Sequence, residues 1–364
     1  MRLAPTPEQA ELKVAVRRFC NEQINPDRLA GWSRMPRGID EATWRSIAEL
    51  GWFGLGLPSE VGGSGQGLVE VGCLLEECSR GLVPLAVINA IRGARALAAI
   101  DARARELPAL ARGERVVTLA LDEHGHGSAH SRASVASQGG ALVVSGEKWF
   151  VADAAGADFY IVAASDGDEV ALVLVERGDS VAVTPLRSFD GQPQAIVRYD
   201  HTPVMRRLSA PGKGRAALEA LRREQQALAL AEQIGTIDAV LDMTVAYVKE
   251  REQFGQKIAV FQAVQHQVAD TGTAYTAARH LAWQAITRLA AGTLEGTELE
   301  TAAAFVGQAA KRATLTAHHL HGGAGYVIEH PLHFHSERAQ TLCIRYTPEA
   351  PALARVAADL LDGA

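Results

Sequence analysis

The sequence of 364 residues lacks the features that mark several classes of protein. No apolar run approaches the ~20 residues that a membrane-spanning helix needs, and the first residues lack the apolar core of a signal peptide. Acidic residues outnumber basic ones by 42 to 36, which argues against a nucleic-acid partner. The four cysteines form no C-x-x-C pair, so neither a disulfide framework nor a thiolate metal site is predicted. We expect a cytoplasmic protein that binds neither membrane nor nucleic acid.

The period of the apolar residues changes twice along the chain. Helical spacing follows a Thr-Pro-Glu start near the N-terminus, and short β-type runs separated by Gly, Asp and Ser turns then take over. Long amphipathic stretches return in the last part of the chain, and long helices are predicted over 213–251, 260–291 and 297–320. We therefore predict an α+β fold with an N-terminal α-helical domain (1–113), a middle antiparallel β-barrel or sandwich (114–208) and a C-terminal four-helix bundle that supports oligomerisation (209–364).

Two segments of the last block carry groups suited to a phosphate-containing ligand. Arg251 is a fixed cation that can grip a phosphate oxygen, and Phe254 offers a flat face to a ring system. Gln262 can donate and accept hydrogen bonds toward a sugar or a base. Gly322 and Gly323 would let their peptide N–H groups approach an anion. Taken alone, Arg251 and Phe254 also fit a purely structural role, in which they cap a helix and pack at its end.

The segments Arg251–Ile258 and His321–Tyr326, together with the α–β–α order, resemble the flavin-dependent acyl-CoA dehydrogenase family. The resemblance implies FAD as cofactor and an acyl-CoA thioester as substrate, which is dehydrogenated between its α- and β-carbons. It also implies that both segments reach the FAD of a neighbouring subunit. The residues that match family positions with this role are Arg251, Phe254, Gln262, His319, Leu320, His321, Gly322 and Gly323, with His319 in a place that usually holds Gln.

The carboxylate that removes the α-proton in this family has no clear counterpart. It usually lies about two dozen residues beyond the glycine loop. Without gaps that place falls on Tyr346, a two-residue insertion gives Pro348, and only a three-residue insertion gives Glu349. A phenol has a pKa of ~10, which would have to fall by about 3 units at a cost of roughly 4 kcal/mol. Glu349 is therefore one candidate base.

Some family members place the base on the long helix before the Arg251 segment. That position is Gln225 here, and the arginine that normally follows it is Gln226. An amide cannot accept the proton. Glu224 is adjacent in sequence, but one helical residue turns it about 100° away. Glu224 is the second candidate base, and neither candidate is well placed.

The strand block also departs from the family pattern. The loop that lines the flavin in the family corresponds to residues 121–128, and its characteristic residues are replaced. Phe150, or a shifted Trp149, must stand in for the tryptophan that packs on the flavin ring. Ala152 has no hydroxyl for the flavin N5 atom. Residues that would serve the chain's own flavin are lost, whereas those that would serve a neighbour's are kept.

This asymmetry resembles the degenerate subunit of actinobacterial α2β2 sterol-type acyl-CoA dehydrogenases. The chain would then complete the FAD site of a homologous catalytic subunit. The alternative is a self-sufficient homo-oligomeric acyl-CoA dehydrogenase with a displaced base, Glu349 or Glu224. A family member with altered chemistry, such as flavin-linked hydroxylation, is a third and lesser alternative.

Two further patterns need an interpretation. Six histidines lie between residues 318 and 335, and imidazoles so close together could ligate zinc. Acidic ligands are sparse nearby and the loop already has a role in the resembled family, so we predict no metal. The charged clusters at Glu76-Glu77 and 222–224 are interpreted as solvated helix faces.

Overall fold

The computed structural model describes residues 5–32, 34–124, 132–327 and 329–362. The helices before the sheet are α1 Pro7–Gln23, α2 Pro26–Trp32, α3 Glu41–Glu49, α4 Leu68–Arg80, α5 Leu85–Ile100 and α6 Leu107–Ala111. The strands of the main sheet are β1 Val117–Ala120, β2 Ser134–Gln138, β3 Ala141–Ala152, β4 Phe159–Asp166, β5 Glu169–Glu176, β6 Val181–Leu186 and β7 Gln194–Arg207. The remaining elements are α7 Gly214–Glu250, a hairpin of β8 Glu252–Gln253 and β9 Gln256–Lys257, α8 Gln262–Ala290, α9 Glu298–His321, α10 Leu332–Arg345 and α11 Glu349–Asp362.

This order of elements confirms the predicted α+β fold with helices at both ends and strands in the middle. The long helices α7 to α9 fall within a residue or two of their predicted limits. The domain limits 1–113, 114–208 and 209–364 stay a prediction. In space the residues group into two compact units, one of 1–29, 67–83 and 223–364 and the other of 30–66 and 84–222.

The strands close into a barrel within the second unit. The order is β1-β4-β2-β3-β7-β5, and β4 also pairs with β5, while β6 joins β7. Most pairs are antiparallel, as predicted, but β4 runs parallel to both β1 and β2. The parallel pairs are possible because β3 lies between each of these strands and β4 in the sequence, so no tight turn joins them to it. Buried aromatic and aliphatic side chains such as Tyr160, Tyr199 and Val173 fill the interior.

The first unit is helical, and α9 packs against α8, α10 and α11. Its helix α1 is held to α4 by ion pairs to buried carboxylates: Lys13 Nζ lies 2.7 Å from Glu76, and Arg17 donates two hydrogen bonds of 2.9 Å to Glu77. The interpretation of Glu76-Glu77 as a solvated face is therefore wrong, because both side chains are buried. Burial raises the pKa of Glu76. None of the described helices combines the length and the apolarity that crossing a membrane requires.

Candidate functional site

The two predicted cofactor segments lie at one end of the helical unit. Helix α7 ends just before Arg251, and α9 ends at His321. The two ends are in direct contact: the Tyr247 hydroxyl donates to the His321 carbonyl at 3.2 Å, and the two rings stack with centroids 4.3 Å apart. The structure therefore brings together segments that are about seventy residues apart in sequence. We call residues 251–262 and 319–323 together the cradle.

The hairpin of the cradle presents an aromatic ring to solvent. Gln253 pairs with Gln256, so Phe254 and Gly255 form a two-residue turn with φ values of 55° and 76°. Such a turn needs positive φ at both positions and usually contains Asn-Gly. A phenylalanine in this conformation is a genuine outlier, and outliers of this kind concentrate at functional sites. The turn leaves Phe254 91% exposed.

Arg251 and Gln262 flank the hairpin, and both are exposed. Among the residues that the structure describes, neither side chain is engaged by another. Gln262 is the first residue of α8, whose first turn contains no acidic side chain. The N-terminus of a long helix carries partial positive charge and free N–H groups. The guanidinium and this helix end together form a cationic surface, and Arg251 makes no ion pair with any residue in the described part of the chain.

The loop after α9 has open backbone and one buried imidazole. Gly322 has a φ of 56°, and a Cβ added at Gly322 or Gly323 would meet nothing within 4 Å. His319 is exposed and Leu320 half-buried, whereas His321 is only 3% exposed. The His321 ring is held by Tyr247 and by a 2.8 Å contact from Nδ1 to the Ala317 carbonyl. His321 can therefore face a ligand through its backbone but not through its ring.

The cradle fits FAD in its donor set. A pyrophosphate needs cations and N–H donors, which Arg251, the start of α8 and the Gly322–Gly323 peptides supply. A flat ring system needs an exposed aromatic or apolar face, and Phe254 supplies one. The open side of the glycine loop leaves room for a close approach of the ligand to the backbone.

The two places where the family's base is expected adjoin one another. Gln226 Nε2 on α7 donates to the Tyr346 carbonyl at 2.9 Å, and Gln225 beside it is buried. About two helical turns further along α7, Gln233 Nε2 donates to Thr347 Oγ1 at 2.9 Å. Sequence reasoning missed Thr347 and Gln233, since nothing in their spacing indicates a pair across 114 residues. Amide groups thus tie this segment to α7.

The two candidate bases lie on either side of this segment. Glu349 is exposed in the first turn of α11, where Gln308 Nε2 donates to its carboxylate at 3.1 Å. Glu224 is half-buried, with one carboxylate oxygen shielded from solvent. The other two members of its cluster, Arg222 and Arg223, are exposed, as a solvated helix face predicts.

In the unit that contains the barrel, the flavin-ring position is filled by Phe150. A register shift in the pairing of β3 with β7 falls between Lys148 and Val151, and Phe150 has a φ of 55° and is 46% exposed. The neighbouring Trp149 ring instead packs on His124, with centroids 4.7 Å apart. Ala152 is buried in the sheet. Residues 125–128 of the predicted flavin-lining loop lie outside the described residues.

Several of the histidines between residues 318 and 335 pack against other side chains of the chain. His318 stacks on Tyr326 with centroids 4.6 Å apart and pairs with Ser336 Oγ at 2.7 Å, while His321 and His330 meet edge to face at 5.0 Å. In the described part of the chain, no group of three or more His, Cys, Asp and Glu side chains is arranged to hold a metal ion.

Acidification is expected to destabilise the helical unit through His335. This residue of α10 is 3% exposed, and burial, with Arg338 and Arg80 nearby, lowers its pKa to about 3. An unfolded histidine has a pKa near 6.5, so the unfolded chain binds the proton first and stability falls as the pH drops below that value. Between pH 7 and pH 5 we expect this residue to contribute a loss of about 2 kcal/mol, measured by urea unfolding.

The matched comparison is His335→Gln against His266→Gln, an exposed imidazole on α8. The first variant should lose about 2 kcal/mol less than wild type over this pH range, and the second should follow wild type. Burial also lowers the pKa values of His318, His321 and His330, so part of the wild-type slope should persist in His335→Gln. Equal slopes for wild type and His335→Gln would contradict this account.

Comparisons with known proteins agree with this geometry. The family descriptions "Acyl-CoA dehydrogenase, N-terminal domain" and "Acyl-CoA dehydrogenase, C-terminal domain" match residues 6–114 and 212–345. Benzylmalonyl-CoA dehydrogenase of Aromatoleum aromaticum is 33% identical over 298 residues, which cover 77% of this chain and 78% of the relative.

Two solved structures match nearly the whole chain. One is a variant of the Tcur3481-Tcur3483 steroid ACAD, with a TM-score of 0.89, 29% identity and 98% of each chain covered. The other is the ChsE4-ChsE5 complex from Mycobacterium tuberculosis, with a TM-score of 0.91, 25% identity and 99% of each chain covered.

The order of helical domain, β-region and C-terminal helices defines a class of flavin-dependent enzymes. The chain belongs to the acyl-CoA dehydrogenase family. By this membership it is an FAD-dependent oxidoreductase.

Proposed function

We propose that this chain is the base-lacking subunit of a heteromeric acyl-CoA dehydrogenase, in which it completes the FAD site of a homologous catalytic subunit. When bound, FAD supplies the acceptor for the hydride that leaves the β-carbon of the acyl-CoA thioester. The observation that carries the proposal is that Gln225 and Tyr346 stand where the family's base is expected, and neither is a carboxylate. The 2.9 Å hydrogen bond from Gln226, the residue after Gln225, to the Tyr346 carbonyl ties these two places together.

Proton chemistry supports this role. An amide does not accept a proton near neutral pH, and an ordinary phenol has a pKa of about 10. The carboxylates nearest in sequence are Glu224 and Glu349, and Glu349 is exposed with its carboxylate hydrogen-bonded to Gln308. A base that removes an α-proton has to be within reach of a bound thioester, ideally in a site that excludes water. An exposed carboxylate at the start of α11 does not meet this requirement.

The cradle supports a partner that covers it. Phe254, Val260, Tyr326 and Val327 are exposed apolar side chains at this end of the unit. The fully buried residues of α8 begin only at Ala278, so its first four turns contain no fully buried side chain. Exposed apolar groups around a cationic centre are typical of a surface that another subunit and an anionic ligand cover.

The relatives support the kind of partner and substrate. The two solved structures described above carry paired names, Tcur3481-Tcur3483 and ChsE4-ChsE5, and the second is described as a complex. We infer by analogy that the partner here is a homologous chain in an α2β2 arrangement. The name benzylmalonyl-CoA dehydrogenase describes action on a CoA ester, and we infer an acyl-CoA substrate in the same way.

Expression with and without a candidate partner tests the proposal. Purified alone, the chain should carry little FAD and show no turnover, because its cradle faces a site that only the partner completes. Co-purified with a homologous subunit that retains the catalytic carboxylate, it should yield about one FAD for each catalytic subunit, measured from flavin absorbance against protein. Full FAD occupancy and acyl-CoA oxidation by the lone chain would overturn the proposal.

The second candidate is a self-sufficient homo-oligomeric enzyme with Glu224 or Glu349 as base. Phe150 favours it, because the chain still holds an exposed aromatic side chain in a strained conformation where the family packs its flavin ring. This candidate requires turnover by the lone chain, together with its loss in Glu224→Gln or in Glu349→Gln. Full activity in both variants would exclude it in this form.

A further inference from the structure

The exposed parts of the cradle have little support of their own. Phe254 contacts Phe261 within the same connection, and Gly322 and Gly323 are exposed with open space beside them. A pyrophosphate site nevertheless needs its donors at fixed distances, because ordering them on binding would reduce the free energy of binding. The residues beneath the two loops must therefore set the spacing between them.

Tyr247 is the residue that contacts both loops from below. Its carbonyl accepts a hydrogen bond from the Arg251 N–H at 2.8 Å and so fixes the backbone of Arg251 at the end of α7. Its hydroxyl donates to the His321 carbonyl at 3.2 Å, immediately before Gly322. Its ring stacks on the His321 imidazole with an interplanar angle of 23°. One half-buried side chain thus links the end of α7 to the end of α9.

A third ring, that of His330, contacts the His321 ring near the end of the glycine loop. His330 meets His321 edge to face, and the His330 N–H donates to the Val327 carbonyl at 3.1 Å. The loop between residues 322 and 327 is therefore held at its start by Tyr247 through His321, and at its end by His330. His321 is buried, and Tyr247 and His330 are half-buried.

We propose that Tyr247 is a positioning residue, which holds Arg251 and the Gly322–Gly323 peptides in one arrangement suited to a dinucleotide pyrophosphate. This inference rests on the proposed function for its ligand, but its mechanical part concerns this chain alone. Tyr247 does not touch the ligand. Its hydroxyl and its ring act through His321 on the glycine loop, and its carbonyl acts on Arg251.

The test compares Tyr247→Phe with Tyr275→Phe, which makes the same chemical change to a half-buried tyrosine of α8 that interacts with Asp238. Hydrogen exchange of the full chain without FAD is read at the amides of residues 319–327. Loss of the hydroxyl should speed exchange there about fivefold in Tyr247→Phe, as expected for one hydrogen bond, and leave it unchanged in Tyr275→Phe. A general loss of stability would affect both variants alike.

The second measurement uses the co-purified complex. Tyr247→Phe should raise the FAD dissociation constant about fivefold, while turnover at saturating FAD stays at the wild-type value, because Tyr247 lies away from the reacting atoms. Wild-type exchange and FAD affinity in Tyr247→Phe would overturn the inference. If the wild-type complex binds no FAD, the proposed function fails, and the exchange experiment still decides whether Tyr247 holds the loop.

Discussion

Replacing Arg251 by alanine is expected to weaken FAD binding to the assembled enzyme about 30-fold, equivalent to roughly 2 kcal/mol. Arg251 is a cation of the cradle that is not held in an ion pair, and no described side chain competes for its guanidinium. A charge-assisted hydrogen bond to a phosphate oxygen is among the stronger polar interactions in proteins. The measurement is the FAD dissociation constant of the co-purified complex, obtained by flavin fluorescence on dilution.

Two further variants make the Arg251 result specific. Arg251→Lys keeps the charge but not the planar fork of donors, so it should lose about 5-fold in affinity. Arg355→Ala removes an exposed arginine from α11 and should leave FAD affinity unchanged. Unfolding by urea should be equal in all three, because Arg251 buries no surface in the isolated chain. Wild-type FAD affinity in Arg251→Ala would show that the cradle does not contact the pyrophosphate.

The sequence was sufficient for the order of elements and for the segments of the cradle. Apolar period, helix-start signals and glycines are local properties, and α7, α8 and α9 follow from them almost to the residue. The two cradle segments were found because their chemistry is concentrated in short stretches. Their contact could not be derived from spacing alone. The contact depends on the alternating direction of α7, α8 and α9. Their lengths bring the end of α7 and the end of α9 to the same end of the helical unit.

Other features needed the three-dimensional arrangement. Glu76 and Glu77 look like any exposed acidic pair on a helix, and only the packing of α1 on α4 makes them buried partners of Lys13 and Arg17. The positive φ of Phe254 goes against the residue's own preference, so no propensity could predict it. Tyr247 lies one helical turn before Arg251, a spacing that could have identified it as the support beneath that turn.

The segment around Tyr346 and the cradle differ in how their polar groups are satisfied. Gln226, Gln233 and Thr347 are paired within the chain, whereas Arg251 and Gln262 are left without partners among the described residues. Buried polar groups must be paired internally, so the first set is complete without a ligand. Exposed donors around one anion-binding surface gain most from a ligand that arrives later. This contrast favours a subunit that completes another chain's FAD site over a self-sufficient enzyme whose site residues have merely changed.

The barrel unit contains a buried ion pair whose loss should have the largest effect on stability. Lys148 Nζ lies 2.5 Å from Glu123, with side chains 1% and 9% exposed. Burial lowers the pKa of Lys148, and the hydrogen bond to Glu123 opposes that effect. The Glu123 carboxylate also accepts the N–H groups of Arg132 and Ala133, at 2.6 and 3.1 Å. The pair thus joins the segment after β1 to β3, at a position two residues before Phe150.

Lys148→Met is expected to lower the free energy of unfolding by about 4 kcal/mol, because it leaves the Glu123 carboxylate buried without its cation. Adding Glu123→Gln should recover a large part of the loss, since the amide is neutral and its oxygen still accepts the two backbone N–H groups. The control is Lys257→Met in the exposed β8–β9 hairpin, where the pair with Glu252 is solvated and little change is expected. Urea unfolding at pH 7 measures all three variants, and a loss below about 1 kcal/mol for Lys148→Met would contradict the argument.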